Sequence, residues 1–155
     1  MTSHLFEAVL MAQVATTLFM TGLIWFVQVV HYPLMAQVGR IGFGDYESAH
    51  VRLTTWVVAP AMLVEAGTAL LLAVSRPPRV SAAACWVALG LVVLIWSSTL
   101  LLQVPRHNAL TNGFDAKAHR LLVLSNWVRT VGWTARSLLV LGILWQAGLG
   151  GRNDV

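Results

Sequence analysis

The sequence predicts an all-α membrane protein: a bundle of four transmembrane helices built from two similar two-helix halves. Composition comes first. The 155 residues are 57% hydrophobic and 10% charged, whereas about a quarter of an ordinary soluble domain is charged. Second, the apolar residues gather into runs that reach the length of about 20 residues needed to cross hydrocarbon. Third, the polar residues at the ends of these runs recur in both halves of the chain. The same figures exclude a disordered chain, which would be polar and charge-rich. The net charge of +4 is scattered between apolar runs rather than clustered, so no nucleic-acid partner is expected. The single cysteine, Cys85, sits within an apolar run and has no intrachain partner.

One integral membrane domain covers residues 1–155, with spans expected at 5–31, 53–74, 81–104 and 122–146. Between Glu7 and Arg40 there is no Asp, Glu, Lys or Arg, and the first residues lack the basic start of a secretory signal, so this run reads as a span. The second run contains Pro60 and Glu65, and the third ends at Pro105. A tight turn at Ser75-Arg76-Pro77-Pro78-Arg79 joins them, and Gly148-Leu149-Gly150-Gly151 closes the fourth. Barrel strands would alternate apolar and polar residues over about ten positions, and these runs do not.

Two longer connections, 32–52 and 106–121, are expected on one side of the membrane. Their residues match in order. Gln28-Val29-Val30-His31 is answered by Gln103-Val104-Pro105-Arg106-His107, and Gly42-Phe43-Gly44-Asp45 by Gly113-Phe114-Asp115. Ala49-His50-Val51-Arg52 is answered by Ala118-His119-Arg120, and Trp56 by Trp127. This pattern reads as a two-helix unit present twice, related by an axis along the membrane normal. It would bring His31 and His50 of one half to face His107 and His119 of the other.

The polar residues within the spans fall on narrow faces. Gln13, Thr17, Thr21, Gln28 and His31 lie within about 80° at 100° per residue, and lipid offers them no hydrogen bonds. Asn126, Arg129, Trp133 and Arg136 likewise share one face of the fourth span. An unpaired charge deep in a span costs at least about 2.5–3.5 kcal/mol, so Glu65 is expected to pair with Arg136 or Arg129. Either this is a buried structural pair, or Glu65 is a catalytic ligand or proton carrier. In the second case Asn126, Arg129, Trp133 and Arg136 hold a substrate. Trp25, Trp56, Trp86, Trp127 and Trp145 fall where an interfacial aromatic belt would place them; Trp96 and Trp133 lie deeper.

Glu47-Ser48-Ala49-His50 is a Glu-x-x-His step, the ligand spacing of carboxylate-bridged di-iron bundles. The second half has Ala116 where a matching acid would stand, so no symmetric di-iron site is written. The expected metal ligands are His31, Glu47, His50, His107 and His119. Imidazole suits iron, copper or zinc, and a pair such as His31 with His107 offers haem ligation as an alternative. Helix-end capping and a metal-free proton relay are the plainer uses of these histidines. No phosphate-binding glycine loop, nucleophile elbow or zinc-protease motif is present.

His31-Tyr32-Pro33, Pro105-Arg106-His107-Asn108-Ala109-Leu110 and Asn126-Trp127-Val128-Arg129-Thr130, in this order around four spans, resemble small four-helix membrane proteins that include the anthrone oxygenase-like group. The resemblance implies an oxygenase or oxidoreductase acting on a lipid-soluble, aromatic substrate. The expected function is therefore a metal-assisted membrane oxidoreductase for a hydrophobic small molecule held in an intramembrane polar pocket. The alternatives are a non-enzymatic carrier of an anionic lipid or small solute, and an accessory subunit of a larger membrane complex; a homo-oligomer also fits. Arg40, Arg52, Arg106, Lys117 and Arg120 on the histidine side outnumber Arg76, Arg79 and Arg152, which favours a cytoplasmic histidine side in a bacterial inner membrane.

Overall fold

Four long helices account for nearly all of the computed structural model, which describes residues 3–76 and 80–149. They are α1 (Ser3–Met35), α2 (Phe43–Ser75), α3 (Ala82–Leu110) and α4 (Ala116–Leu149). No strand occurs among the described residues. The first three are long and apolar enough to cross a membrane. The fourth is the longest, at 34 residues, but its inward face carries Asn126, Arg129, Thr130, Arg136 and Ser137, all buried. Of the expected turn between the second and third spans, Pro77, Pro78 and Arg79 lie outside the described residues, as do Gly150, Gly151 and Arg152.

The helices overrun the expected spans at the histidine end. The connections expected at 32–52 and 106–121 are mostly helical, leaving only short links after Met35 and Leu110. A helix of 33 residues is about 50 Å long, against about 30 Å of hydrocarbon. Apolar runs mark only the length that lipid would contact; beyond it the helices continue with polar residues. His31, His50, His107 and His119 therefore stand on helices, not loops.

Burial is inverted relative to a water-soluble bundle. Leu63, Leu101, Leu138 and Val131 lie more than half exposed, while Gln13, Thr17, Gln28, Gln103 and Asn126 are almost fully buried. The polar stripe of α1 faces the other helices. The belt tryptophans Trp25, Trp56, Trp86, Trp127 and Trp145 all point outward. In cross-section the helices form a square, α1–α2–α3–α4 and back to α1, with no backbone approach along either diagonal among the described residues.

Polar side chains bridge both diagonals. Between an apolar layer around Val14, Leu72 and Val140 and another around Met20, Met62 and Trp133 lies a network centred on Glu65. Its Oε1 accepts from Arg136 Nε at 2.7 Å and from Thr17 Oγ1 at 2.9 Å, and its Oε2 from Trp133 Nε1 at 3.0 Å. Gln13 donates to Thr17 at 2.9 Å and accepts from Thr68 at 2.8 Å. Arg136 also donates to the Ala88 carbonyl, where α4 packs on α3.

Both odd-numbered helices contain a single wide turn, Val27–His31 in α1 and Thr99–Gln103 in α3. In each the bond closing the turn runs five residues back, from Tyr32 N–H to the Val27 carbonyl and from Val104 N–H to the Thr99 carbonyl. A proline follows at once, Pro33 or Pro105. Proline has no N–H and crowds the carbonyl four residues back, and widening the turn relieves that crowding. One extra residue in a turn rotates everything after it by about 100°.

Glu65→Ala should leave Arg136 buried without its counter-charge and cost about 3–5 kcal/mol. Replacing both Glu65 and Arg136 by Met should recover most of that loss. Thermal unfolding in detergent of the two singles and the double decides; additive losses would mean that the pair does not act as a unit.

Candidate functional site

The site lies at the histidine end and is assembled by a close backbone crossing. α2 starts at Gly42, whose φ of +78° lies in the left-handed region, and the link before α4 turns at Gly113, with φ of +126°. The phenylalanines that follow these glycines, Phe43 and Phe114, pack edge to face with centroids 5.0 Å apart. Gly44 sits so near the other link that an added Cβ would stand 2.6 Å from the Thr111 carbonyl oxygen. One turn later Glu47 is carried, fully buried, to His107 on α3.

Glu47 Oε1 lies 2.5 Å from His107 Nδ1, and His107 Nε2 lies 2.9 Å from the Tyr32 hydroxyl. An ionised carboxylate only accepts, so a proton stands on Nδ1, and in the neutral imidazole Nε2 is then the acceptor. Tyr32 therefore donates to His107, and His107 donates to Glu47. The three residues form a directed chain from α1 through α3 to α2. Beyond Tyr32 stands Arg129, close enough to the phenol for an electrostatic interaction. Arg129 donates to Asn126 Oδ1 at 3.2 Å and lies over the Trp133 ring, 5.2 Å from its centroid. Asn126 in turn donates to Gln28 Oε1 at 2.9 Å.

Tyr32, His107 and Arg129 border a cavity of about 130 Å³ between α2 and α3. Met20, Ile24 and Val58 make its apolar floor; Tyr32, His50, Gln103, His107 and Arg129 form its polar wall. Gln103 donates to Ser125 and accepts from Ser98, so it too is fully engaged.

No family model, curated protein or solved structure matches this chain. The site must be read from its own chemistry.

The expected residues divide into groups. His31, Glu47, His50 and His107 are brought together: His31 Nε2 is 3.1 Å from His50 Nδ1, their rings stack at 4.5 Å, and the His50 and His107 rings are 5.5 Å apart. His119 stands apart from them, with Nε2 2.7 Å from the Tyr32 carbonyl oxygen, where it caps the end of α1. Glu47 and His50, three residues apart on α2, serve different partners: Glu47 faces His107, while His50 meets His31 and Thr54. As packed, both ring nitrogens of His107 are engaged, and the His31 and His50 nitrogens face each other. Among the described residues no group of three or more His, Cys, Asp or Glu is arranged to hold a metal ion.

Glu65, expected as ligand or proton carrier, is held by Thr17, Trp133 and Arg136, and neither it nor Arg136 lines the cavity. Trp133 supports Arg129 from behind. Asn126 orients Arg129, and only Arg129 of the four expected substrate-binding residues reaches the cavity wall. His4 is exposed beside Glu7.

Tyr32 was missed as a site residue. Counting at 100° per residue puts His31 on the stripe with Gln13 and turns Tyr32 away from it. The wide turn at Val27–His31 reverses this, and Tyr32 is 2% exposed while His31 is only half-buried. The Pro33 that follows is the signal that could have found it.

Gly44→Ala should destabilise the protein by about 1–3 kcal/mol, since the added methyl meets backbone rather than a movable side chain. Gly22→Ala, where the new Cβ meets nothing, should raise stability slightly. Melting temperatures in detergent compare the two directly; equal effects would mean that the crossing at Thr111 is looser than described.

Proposed function

We propose that this protein is a multi-pass membrane oxidoreductase or oxygenase that acts on a small hydrophobic molecule within the bundle, with the Glu47–His107–Tyr32 chain moving the substrate's proton. One observation carries this reading. A tyrosine and a histidine on the polar wall of a cavity with an apolar floor stand in hydrogen-bonded series with a buried carboxylate behind them. Tyr32 faces the cavity, His107 takes its proton through Nε2, and Glu47 stabilises the imidazolium that results. Dioxygen or another acceptor from the medium would receive the electrons.

All four helices cross the bilayer in this reading, α4 included, because the charged residues of its apolar stretch, Arg129 and Arg136, are turned inward and bonded there. The paired wide turns before Pro33 and Pro105, and the contact of Phe43 with Phe114, support descent from a duplicated two-helix unit. The histidine end faces the cytoplasm of a bacterial inner membrane by the balance of basic residues. The cavity opens between α2 and α3 near Thr55 and Val104, both exposed on the bundle surface, so the substrate arrives from lipid.

The proton chain assigns the histidines differently from a metal centre. A metal at His31, His50 and His107 would require the His31–His50 contact to open and His107 to release Glu47 or Tyr32. The carrier reading requires no proton transfer at all.

The test uses detergent-purified protein and a panel of one- and two-ring phenols and ring ketones, read by oxygen uptake and by deuterium exchange at the acidic C–H. Tyr32→Phe, His107→Gln and Glu47→Gln should each slow turnover on the order of 10²-fold or more. His119→Gln should slow it far less. Elemental analysis runs in parallel: stoichiometric metal lost in His31→Ala or His50→Ala would transfer the assignment to a metal-assisted enzyme. Saturable binding without uptake or exchange would transfer it to the carrier.

A further inference from the structure

Two carboxylates and two guanidiniums are buried in the bundle, and only one carboxylate meets a guanidinium. Glu65 takes Arg136, while Glu47 is bonded to the His107 imidazole. Arg129 is 8% exposed and lies in no ion pair among the described residues. Its neighbours are neutral: Asn126, the Tyr32 phenol and the Trp133 ring. Its Nε–H is buried with no hydrogen-bond partner. This unpartnered donor belongs to a side chain that lines the cavity.

Resting on the proton chain above, we propose that Arg129 is the seat of a substrate anion, and that the substrate is a ring-sized weak acid bound as its conjugate base. Phenols, enols and C–H acids beside a carbonyl make up this class. The size follows from the cavity, since one of about 150 Å³ takes a benzene-sized molecule. The weak acid follows from the base beside the seat. A carboxylate is already ionised, and the Tyr32–His107–Glu47 chain would have nothing to remove from it.

The step balances without an added reagent. The ligand's O–H or C–H bond breaks, and its proton bonds to the Tyr32 oxygen as the Tyr32 proton passes to His107 Nε2. The electron pair stays on the ligand, in conjugation with the oxygen that faces Arg129. Before the step Arg129 is unpaired; afterwards the anion is paired with Arg129 and the imidazolium with Glu47. Each charge created inside the bundle then stands beside its opposite, which is the condition for holding charge in a medium of low dielectric constant.

The probe is 4-nitrophenol, whose anion is yellow and whose neutral form is not. With excess full-length protein in detergent, and empty micelles as reference, the bound probe should titrate at least one pH unit below the free probe. That shift corresponds to at least a tenfold preference for the anion. Arg129→Gln should abolish the shift, and Arg129→Lys, which keeps the charge, should retain part of it. Tyr32→Phe separates the two proposals: it should stop proton transfer yet still bind the probe as its anion. The Arg129 assignment is overturned if saturable binding is absent, if the bound probe titrates at or above the free value, or if Arg129→Gln shifts it as much as the unmodified protein.

Discussion

Charge balance inside the bundle is the constraint on which the rest of the structure depends. A buried guanidinium or carboxylate needs an opposite charge or a full set of hydrogen bonds, because lipid supplies neither. Glu65 satisfies this completely, with Arg136, Thr17 and Trp133 filling its oxygens from α1 and α4. That network ties both neighbours of the square and one diagonal to a single point near mid-bundle. It makes Glu65 a poor proton carrier, since any change in its charge would strand Arg136. The second set of charges, Glu47 and Arg129, lacks such a pairing, and the proposed chemistry rests on it.

The second set is positioned by backbone devices rather than by side-chain preference. The wide turn in α1 rotates Tyr32 inward, and the one in α3 sets the phase of the residues that lead to His107. Gly44 lets the start of α2 approach the Thr111 carbonyl, without which Glu47 would not arrive at His107. The two wide turns depart from regular helix, Gly44 stands in the first turn of α2, and each sits within about two turns of the cavity. The mid-bundle network, by contrast, is built on α-helical turns. Support at the centre and adjusted backbone at the histidine end divide the work along the bundle.

Much of this was legible in the sequence, and the illegible part has a common cause. The inward stripe of α1 through Gln13, Thr17, Thr21 and Gln28 followed from helical periodicity. The Glu65–Arg136 pair followed from the cost of isolated charge. The meeting of His31, His50 and His107 was expected from their placement at one end of the apolar runs. The extents of the helices did not follow, because apolar runs report only the lipid-facing length. Nor did the inward turn of Tyr32, because periodicity assumes 3.6 residues in every turn and cannot register an added residue. His119 was grouped with the other histidines by sequence order, yet its phase on α4 carries it to the end of α1. Errors of this kind gather where the backbone is irregular, which is also where the cavity lies.

Access to the cavity has a direction that follows from its walls. His50 and Thr54 separate it from a second, more open groove between α1 and α2, bordered by Phe26, Leu53 and Val57. Exposed apolar side chains border both openings, Val104 beside Thr55 at the first and Phe26, Leu53 and Val57 at the second, so a molecule dissolved in lipid would meet no charged group before it reaches the imidazoles. A charged product would find the reverse: its counter-charge is Arg129, deep in the wall, and leaving into lipid as an anion would separate that pair in hydrocarbon. Release therefore requires that the ligand regain a proton or lose its acidity in the reaction. Substrate and product would both cross the rim neutral, with charge confined to the interval between.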